Sequence, residues 1–180
     1  LSGTMIEKSS GHIQIDCGNT YNNFDEEKLL REYKKDKFFD YQGSHWAPHL
    51  IHKDYWNKIG GFSEEFNPGI GSDPDLNMKL WIYGVRIFKG LSNCRVYHFG
   101  SISLRKKVGL KRNHGSNIFL KKWGISINFF LKYYLNLNYF KNNKIFTHKY
   151  LGPLKEPKKN FLFYFSLFVC KIKLFYVKVF

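Results

Sequence analysis

Two aspartates in "GSDPDLNMKLWIYG", residues 71–84, are the residues whose types and spacing most directly suggest chemistry. Asp73 and Asp75 flank Pro74, just before apolar residues at helical spacing. A carboxylate at a loop-to-helix junction can face a cleft and act as a general base. The same pattern also predicts a structural role, with Asp73 as the helix cap, Pro74 first in the helix and Asp75 in its first turn. Local signals favour the cap and leave the base as the alternative.

Histidines supply the next candidates for chemistry. His45, His49 and His52 lie close together, but their spacing aligns them only on a helix, and Pro48 interrupts one there. A metal site built from these three is therefore disfavoured. His98 follows "CRVY" at a predicted strand end, where a histidine is either a structural residue or a ligand for metal or phosphate.

A basic segment with glycines, "GSISLRKKVGLKRNHGS", follows His98. Its cations can either close over a diphosphate or face solvent, and the sequence does not separate these alternatives. The cations in question are Lys106, Lys107, Lys111 and Arg112.

The elements that must position these residues alternate between strand and helix patterns. Leu76, Leu80 and Tyr83 predict one buried helical stripe, and Gly84 is expected to end that helix. Strands are predicted at "LSGTMIE", "HIQIDCG", "VRIF" and "CRVYHF". Helices are predicted at "NFDEEKLLREYKKDK", "KDYWNKIGGF" and "NIFLKKWG", with an extended segment at "HWAPHLIH".

Charge separates the chain into two parts. Residues 101–180 contain 17 Lys and Arg and a single acid, Glu156, whereas residues 1–100 are nearly neutral. Such a basic part is expected to meet an anionic partner, either lipid head groups or nucleic acid. The three cysteines are odd in number and widely spaced, which argues against a disulfide framework or zinc knuckle and favours a reducing compartment.

The tail beyond Gly124 is basic, rich in aromatic residues and mainly helical in pattern. "SINFFLKYYLNLN" predicts a helix, and "FLFYFSLFVC" is too short to span a bilayer. "KIKLFYVKVF" is either a strand or a helix, because its periodicity does not distinguish the two. The tail therefore predicts either attachment to an anionic membrane face or simple packing of helices on the preceding domain.

Taken in order, four blocks resemble the second half of the catalytic domain of family 2 glycosyltransferases. They are "GGFSEEF" at 60–66, "SDPDL" at 72–76, "GV" at 84–85 and "VYHFG" at 96–100, and "FLKKWG" is similar to the segment that often closes such domains. The resemblance implies an α/β fold, a partial GT-A (Rossmann-like) domain over residues 1–124 that lacks its N-terminal nucleotide-binding half. Residues 125–180 follow as the mainly helical extension.

The resemblance also implies roles for single residues on the acceptor side. Asp73 takes the position of the catalytic base, which removes a proton from an acceptor hydroxyl. His45 and Trp46 lie on the side that builds the acceptor pocket, where an aromatic ring can stack on a sugar, and Asp75 is assigned to acceptor binding with them.

On the donor side, His98 takes the position of a metal ligand and Arg105 that of a ligand to the leaving diphosphate. The expected cofactor is a divalent metal, Mg²⁺ or Mn²⁺, and the resemblance places the D-x-D motif that would supply its other ligands in the nucleotide-binding half, outside this sequence. Ser72 replaces the acid that usually precedes Asp73, and the Q-x-x-R-W segment of processive synthases is missing. We therefore expect a fragment of a non-processive enzyme.

The expected function is transfer of a sugar from a nucleotide-sugar donor to a glycan or lipid-linked acceptor, with inversion. Cytoplasmic location, peripheral at the inner membrane face, is expected with it. The alternatives are a non-catalytic, membrane-associated scaffold and a basic nucleic-acid-binding module. The second is disfavoured because the chain lacks a recognised nucleic-acid-binding fingerprint.

Overall fold

The structure, a computed structural model, describes residues 1–9, 11–35, 39–100, 114–137 and 148–179. These residues form a mixed α/β arrangement of strands and α-helices, with two short 3₁₀ helices. The strands are β1 Ser2–Glu7, β2 Ile13–Gln14, β3 Tyr41–Gln42 and β4 Lys89–Tyr97. The helices are α1 Glu26–Glu32, α2 Lys53–Ile59, α3 Ser72–Ile82, α4 Gly115–Trp123, α5 Ile127–Tyr133 and α6 Phe161–Val179. The 3₁₀ helices are Tyr21–Asn23 and Glu64–Phe66.

The four strands form one sheet in the order β2-β1-β4-β3. β1 pairs in parallel with both β2 and β4, and β3 pairs antiparallel with β4. β1 is buried along most of its length, as expected for a central strand with parallel neighbours on both sides. Because β1 and β4 run in the same direction, their carboxyl ends, Glu7 and Tyr97, lie at the same edge of the sheet.

Glycine is required where β3 meets β4. The ring of Tyr41 lies directly over Gly90, and a Cβ on Gly90 would come within 1.9 Å of that ring. The Tyr41 hydroxyl reaches across to β1 and donates a hydrogen bond of 2.6 Å to the carbonyl of Gly3. One buried tyrosine thus ties three strands together, and any side chain at Gly90 would displace it.

Helices on both sides of residue 124 share the larger hydrophobic core. Leu76 and Trp81 of α3, Phe119 of α4, Phe130 of α5 and Phe163 of α6 all belong to this core. A smaller core under β1 and β2 contains Ile6, Ile13, Ile15 and Cys17. The division predicted at residue 124 therefore does not coincide with a break in the core.

Most predicted elements are present, and the differences have physical causes. The helix at 53–59 ends at left-handed Gly60 as expected, and Gly84 ends α3 with φ of 100°. Tyr83, expected in the buried stripe of α3, is instead half exposed. "VRIF" is not a strand. "CRVY" and the residues from Lys89 onward form the single strand β4, which begins after Phe88 and ends at Tyr97, so His98 and Phe99 follow it.

The last segment resolves the choice that its periodicity left open. "FLFYFSLFVC" and "KIKLFYVKV", residues 161–179, form one continuous helix, α6. Among the described residues, no helix has both the length and the apolar character needed to cross a bilayer.

Candidate functional site

Asp73 lies in the first turn of α3 but does not cap it. The helix begins at Ser72, preceded by Gly71 in the left-handed conformation, and no side chain caps this end. The predicted cap was therefore wrong: the turn through Gly71 starts the helix two residues earlier than expected. Pro74 is tolerated because the first few N–H groups of a helix have no intrahelical partner. The side chain of Asp73 is thereby left available for another contact.

That contact is with His49. The Nε2 atom of His49 lies 3.0 Å from Oδ1 of Asp73. Because a carboxylate only accepts, Nε2 carries the proton and donates it in this hydrogen bond. The His49 side chain is 13% exposed and that of Asp73 is 37% exposed. Within the described residues, Oδ2 of Asp73 has no hydrogen-bond partner, so one carboxylate oxygen is oriented and the other is open.

Both members of the pair are fixed by the fold. The backbone of His49 bridges Ser2 of β1, and the neighbouring residues add hydrogen bonds from Gly3 N–H to the Pro48 carbonyl and from Leu50 N–H to the Leu1 carbonyl. The amino end of β1 therefore holds His49, while α3 holds Asp73.

Asn77 strengthens this arrangement from inside the protein. Its side-chain amide, almost fully buried, donates to the carbonyls of Asp73 at 2.7 Å and His45 at 3.1 Å. It thus joins the first turn of α3 to the segment that carries His49. Asn77 and His49 also line an apolar cleft of about 840 Å³ beside α2 and α3. The cleft therefore lies next to the residues that hold Asp73.

Asp75 faces the opposite way and has no exposed surface. Its Oδ2 accepts from the Ser63 hydroxyl at 2.7 Å, and its Oδ1 accepts from the Trp123 indole at 2.8 Å and faces the Lys122 ammonium at 2.9 Å. Burial alone would lower the pKa of Lys122, but hydrogen bonds to Glu65 and Asp75 raise it above its usual value. The burial of Asp75 argues against the direct acceptor contact predicted for it, and its contacts make it the anchor of α4 against α3.

His45 and Trp46 are also in the interior. His45 Nδ1 donates to the Gly43 carbonyl at 3.2 Å, and its ring lies 4.4 Å from that of Trp46. Burial lowers the pKa of His45 to about 4, so the ring is neutral at pH 7. Trp46 is only 7% exposed and stacks near Tyr41, which leaves no open ring face for the predicted sugar contact.

His98, the predicted metal ligand, pairs with Glu7 at the edge where β1 and β4 end. Its Nδ1 contacts Oε1 of Glu7, and its backbone N–H donates to the Ile6 carbonyl. The Glu7 carboxylate is the kind of ligand that Mg²⁺ or Mn²⁺ prefers, whereas the His98 imidazole suits softer transition metals better, and two donors do not complete a site. In the part of the chain that the structure describes, no three His, Cys, Asp or Glu residues are placed to hold a metal ion, the set of His45, His49 and His52 included.

Arg105 and the basic residues Lys106, Lys107, Lys111 and Arg112 lie outside the described residues. Their predicted diphosphate contacts stay predictions.

Sequence reasoning missed His49 and Asn77 as parts of this site. His49 was considered only with its neighbours as a metal ligand, and its partner Asp73 is 24 residues away. The one local signal was position: His49 follows Pro48 in an extended segment, which is where a chain can pair with a strand edge. No sequence pattern indicates which helix that segment will meet.

Comparison with known proteins identifies no relative. No protein-family model, no curated protein and no solved structure matches this chain.

Proposed function

We propose that these residues form the acceptor-side part of an inverting glycosyltransferase with a GT-A fold, in which Asp73 is the general base. The four sequence blocks that resemble family 2 glycosyltransferases support the reaction class, and the mixed α/β arrangement is compatible with it. The observation that carries the proposal is the His49–Asp73 pair, because it presents one oriented carboxylate with an open oxygen at a helix start.

In the proposed reaction the open Oδ2 of Asp73 accepts the proton of an acceptor hydroxyl. The hydroxyl oxygen forms a bond to the anomeric carbon of the donor sugar as the bond from that carbon to the nucleoside diphosphate breaks. His49 is a positioning residue: its N–H holds Oδ1, which restricts rotation of the carboxylate. Asn77, together with Asp75 and its partners Ser63, Trp123 and Lys122, holds the helix turn from which Asp73 projects.

A divalent metal would supply charge neutralisation on the departing diphosphate. His98 and Glu7 are the residues of the described chain that would contribute to holding it. The nucleotide-binding half implied by the resemblance lies outside residues 1–180. We therefore expect no micromolar binding of UDP-, GDP- or dTDP-sugars to this chain alone, measured by calorimetry. Such binding would contradict the proposal that the donor is bound mainly by residues outside this chain.

The test is release of nucleoside diphosphate by the native protein that contains these residues. The protein is supplied with UDP-, GDP- and dTDP-sugars and with a lipid or glycan extract as the source of acceptor. We expect Asp73→Asn to reduce turnover by about 10²–10⁴-fold, the usual contribution of a general base. Far-UV circular dichroism and thermal unfolding of the variant are expected to match the parent.

The chain offers a matched control in a second His–Asp pair. His52 and Asp54 lie 3.6 Å apart at the start of α2, and both side chains are largely exposed. Asp54→Asn removes the same charge from a similar helix turn and is expected to leave turnover unchanged. Parent-like turnover of Asp73→Asn, or an equal loss in both variants, would overturn the role of Asp73. A native protein that releases no diphosphate with any donor would favour the non-catalytic scaffold.

A further inference from the structure

The two long faces of α6 have different surroundings. One face packs on α4 and α5: the Phe163 ring lies 5.0 Å from Phe129 and 5.1 Å from Tyr133. About two turns further along the helix, the Ser126 N–H donates to Cys170 Sγ at 3.4 Å. The packed residues recur every three or four positions and are Phe163, Leu167, Cys170, Leu174 and Val177. These contacts fix which side of the helix faces outward.

The opposite face is apolar and exposed. Its large residues are spaced by four and three positions in turn, so they fall on one stripe along the whole helix. Each is more than two-fifths exposed, and Phe161 is 79% exposed. We call this set the outer stripe: Phe161, Phe165, Phe168, Ile172, Phe175 and Val179. A contiguous exposed stripe of this length indicates an interaction surface rather than scattered surface residues.

Lysines flank the outer stripe. Lys171 and Lys178 lie on one side of it and Lys173 on the other, as follows from about 100° of rotation per residue, and all three are exposed. Lys155, Lys158 and Lys159 immediately precede the helix, and the sequence contains no acid after Glu156. The surface is therefore an apolar stripe with cationic borders on both sides.

We propose that the outer stripe binds an anionic lipid surface, with α6 lying in the plane of the membrane interface. Phenylalanines would enter the boundary between head groups and acyl chains, while the lysine stems extend sideways to place their ammonium groups among anionic head groups. This inference goes beyond the proposed enzymatic function and does not depend on it. A second copy of the chain is a poorer occupant, because it would bring two sets of lysine borders together with no acid on either helix to offset them.

The test is flotation of the chain with vesicles of phosphatidylcholine alone and of phosphatidylcholine mixed with phosphatidylglycerol. We expect binding to the mixed vesicles, weaker binding to the neutral ones, and loss of the difference at high salt. Phe165→Ser with Phe168→Ser is expected to weaken binding about tenfold or more. Lys171→Gln with Lys173→Gln is expected to weaken it about fivefold per lysine, for the anionic vesicles only.

Matched controls come from exposed residues elsewhere. Leu30→Ser with Leu151→Ser removes two exposed leucines away from α6, and Lys34→Gln with Lys58→Gln removes the same charge, so both are expected to bind like the parent. Absence of binding to either vesicle would overturn the proposal, as would parent-like binding of the stripe variant. Light scattering gives a third outcome against it: a dimer that the two serines dissociate would assign the stripe to a second copy.

Discussion

Asp73 and Asp75 are two residues apart on the same helix turn, yet they occupy opposite environments. Asp73 faces a half-open edge where one histidine holds one of its oxygens. Asp75 faces the core, where a hydroxyl, an indole and an ammonium group surround it. An open carboxylate is suited to exchange protons with a ligand, whereas an enclosed one is suited to hold elements together. The predictions below test this contrast, from the largest expected effect to the smallest.

Replacing Asp75 is expected to destabilise the protein far more than replacing Asp73. Asp75→Ala leaves the Trp123 and Ser63 donors without their acceptor and removes the buried partner of Lys122, which costs about 3–5 kcal/mol of unfolding free energy. Asp73→Ala is expected to cost less than about 1 kcal/mol because the side chain is partly exposed and loses a single hydrogen bond. Urea unfolding of both variants measures the difference, and equal losses would erase the contrast.

Acid is expected to lower the free energy of unfolding because the buried His45 must take up a proton. Burial lowers the pKa of His45 to about 4, so the folded state binds its proton less readily than the unfolded state does. The free energy of unfolding therefore falls as pH decreases from about 6.5 to about 4, by up to about 3 kcal/mol from this residue.

The control for the acid effect is His45→Gln, which removes the titrating ring. Burial likewise lowers the pKa of His12 to about 4, so the variant should keep part of the slope. Denaturant midpoints of parent and variant across this pH range supply the measurement. A variant with the full parental slope would show that His45 does not titrate as its burial requires.

Trp123→Phe tests the link from Asp75 to α4 alone. The substitution keeps most of the ring volume but removes the indole N–H that donates to Asp75 at 2.8 Å. We expect a loss of about 1–2 kcal/mol, since a hydrogen bond to a buried charge is lost while other donors remain. Trp56→Phe, on the exposed surface of α2, is the control and should stay within about 0.5 kcal/mol of the parent in the same urea titration.

His49→Ala is expected to have the smallest effect, and mainly on turnover. The open oxygen of Asp73 remains, but its orientation is no longer fixed, so diphosphate release should fall about tenfold, equivalent to about 1.4 kcal/mol. The drop should be in kcat, with KM for the donor unchanged. His49→Gln should recover part of the lost turnover by donating from its amide.

His52→Ala serves as the control. A rise in KM alone would assign His49 to binding instead of positioning.

The sequence allowed prediction of α3 and its acids because the signals are local: proline, first-turn carboxylates and apolar spacing lie within a dozen residues. The cap was predicted wrongly because Gly71 adopts a left-handed turn, so that the helix begins at Ser72, before Asp73. Glycine can adopt both left-handed and right-handed backbone conformations, and the adjacent residues in the sequence do not determine which one forms.

The site itself required contacts that local patterns do not contain. His49 meets Asp73 across 24 residues, and Asp75 meets Trp123 across 48. Similarly, the two halves of α6 looked distinct because Lys171 interrupts the apolar run. In the helix, that lysine lies at the border between the packed face and the outer stripe. The position of this border follows only from the packing of Phe163 and Cys170 in the core.

The long separation between Asp75 and Trp123 also sets an order of events during synthesis. Translation delivers α3 to the ribosome exit well before α4, so Asp75 first emerges without the indole and ammonium groups that enclose it. The turn that carries Asp73 reaches its final support only once Trp123 has been made. A nascent chain stalled ahead of that residue would carry the proposed base on a helix that lacks the Trp123 contact, and would therefore be more accessible to chaperones and proteases.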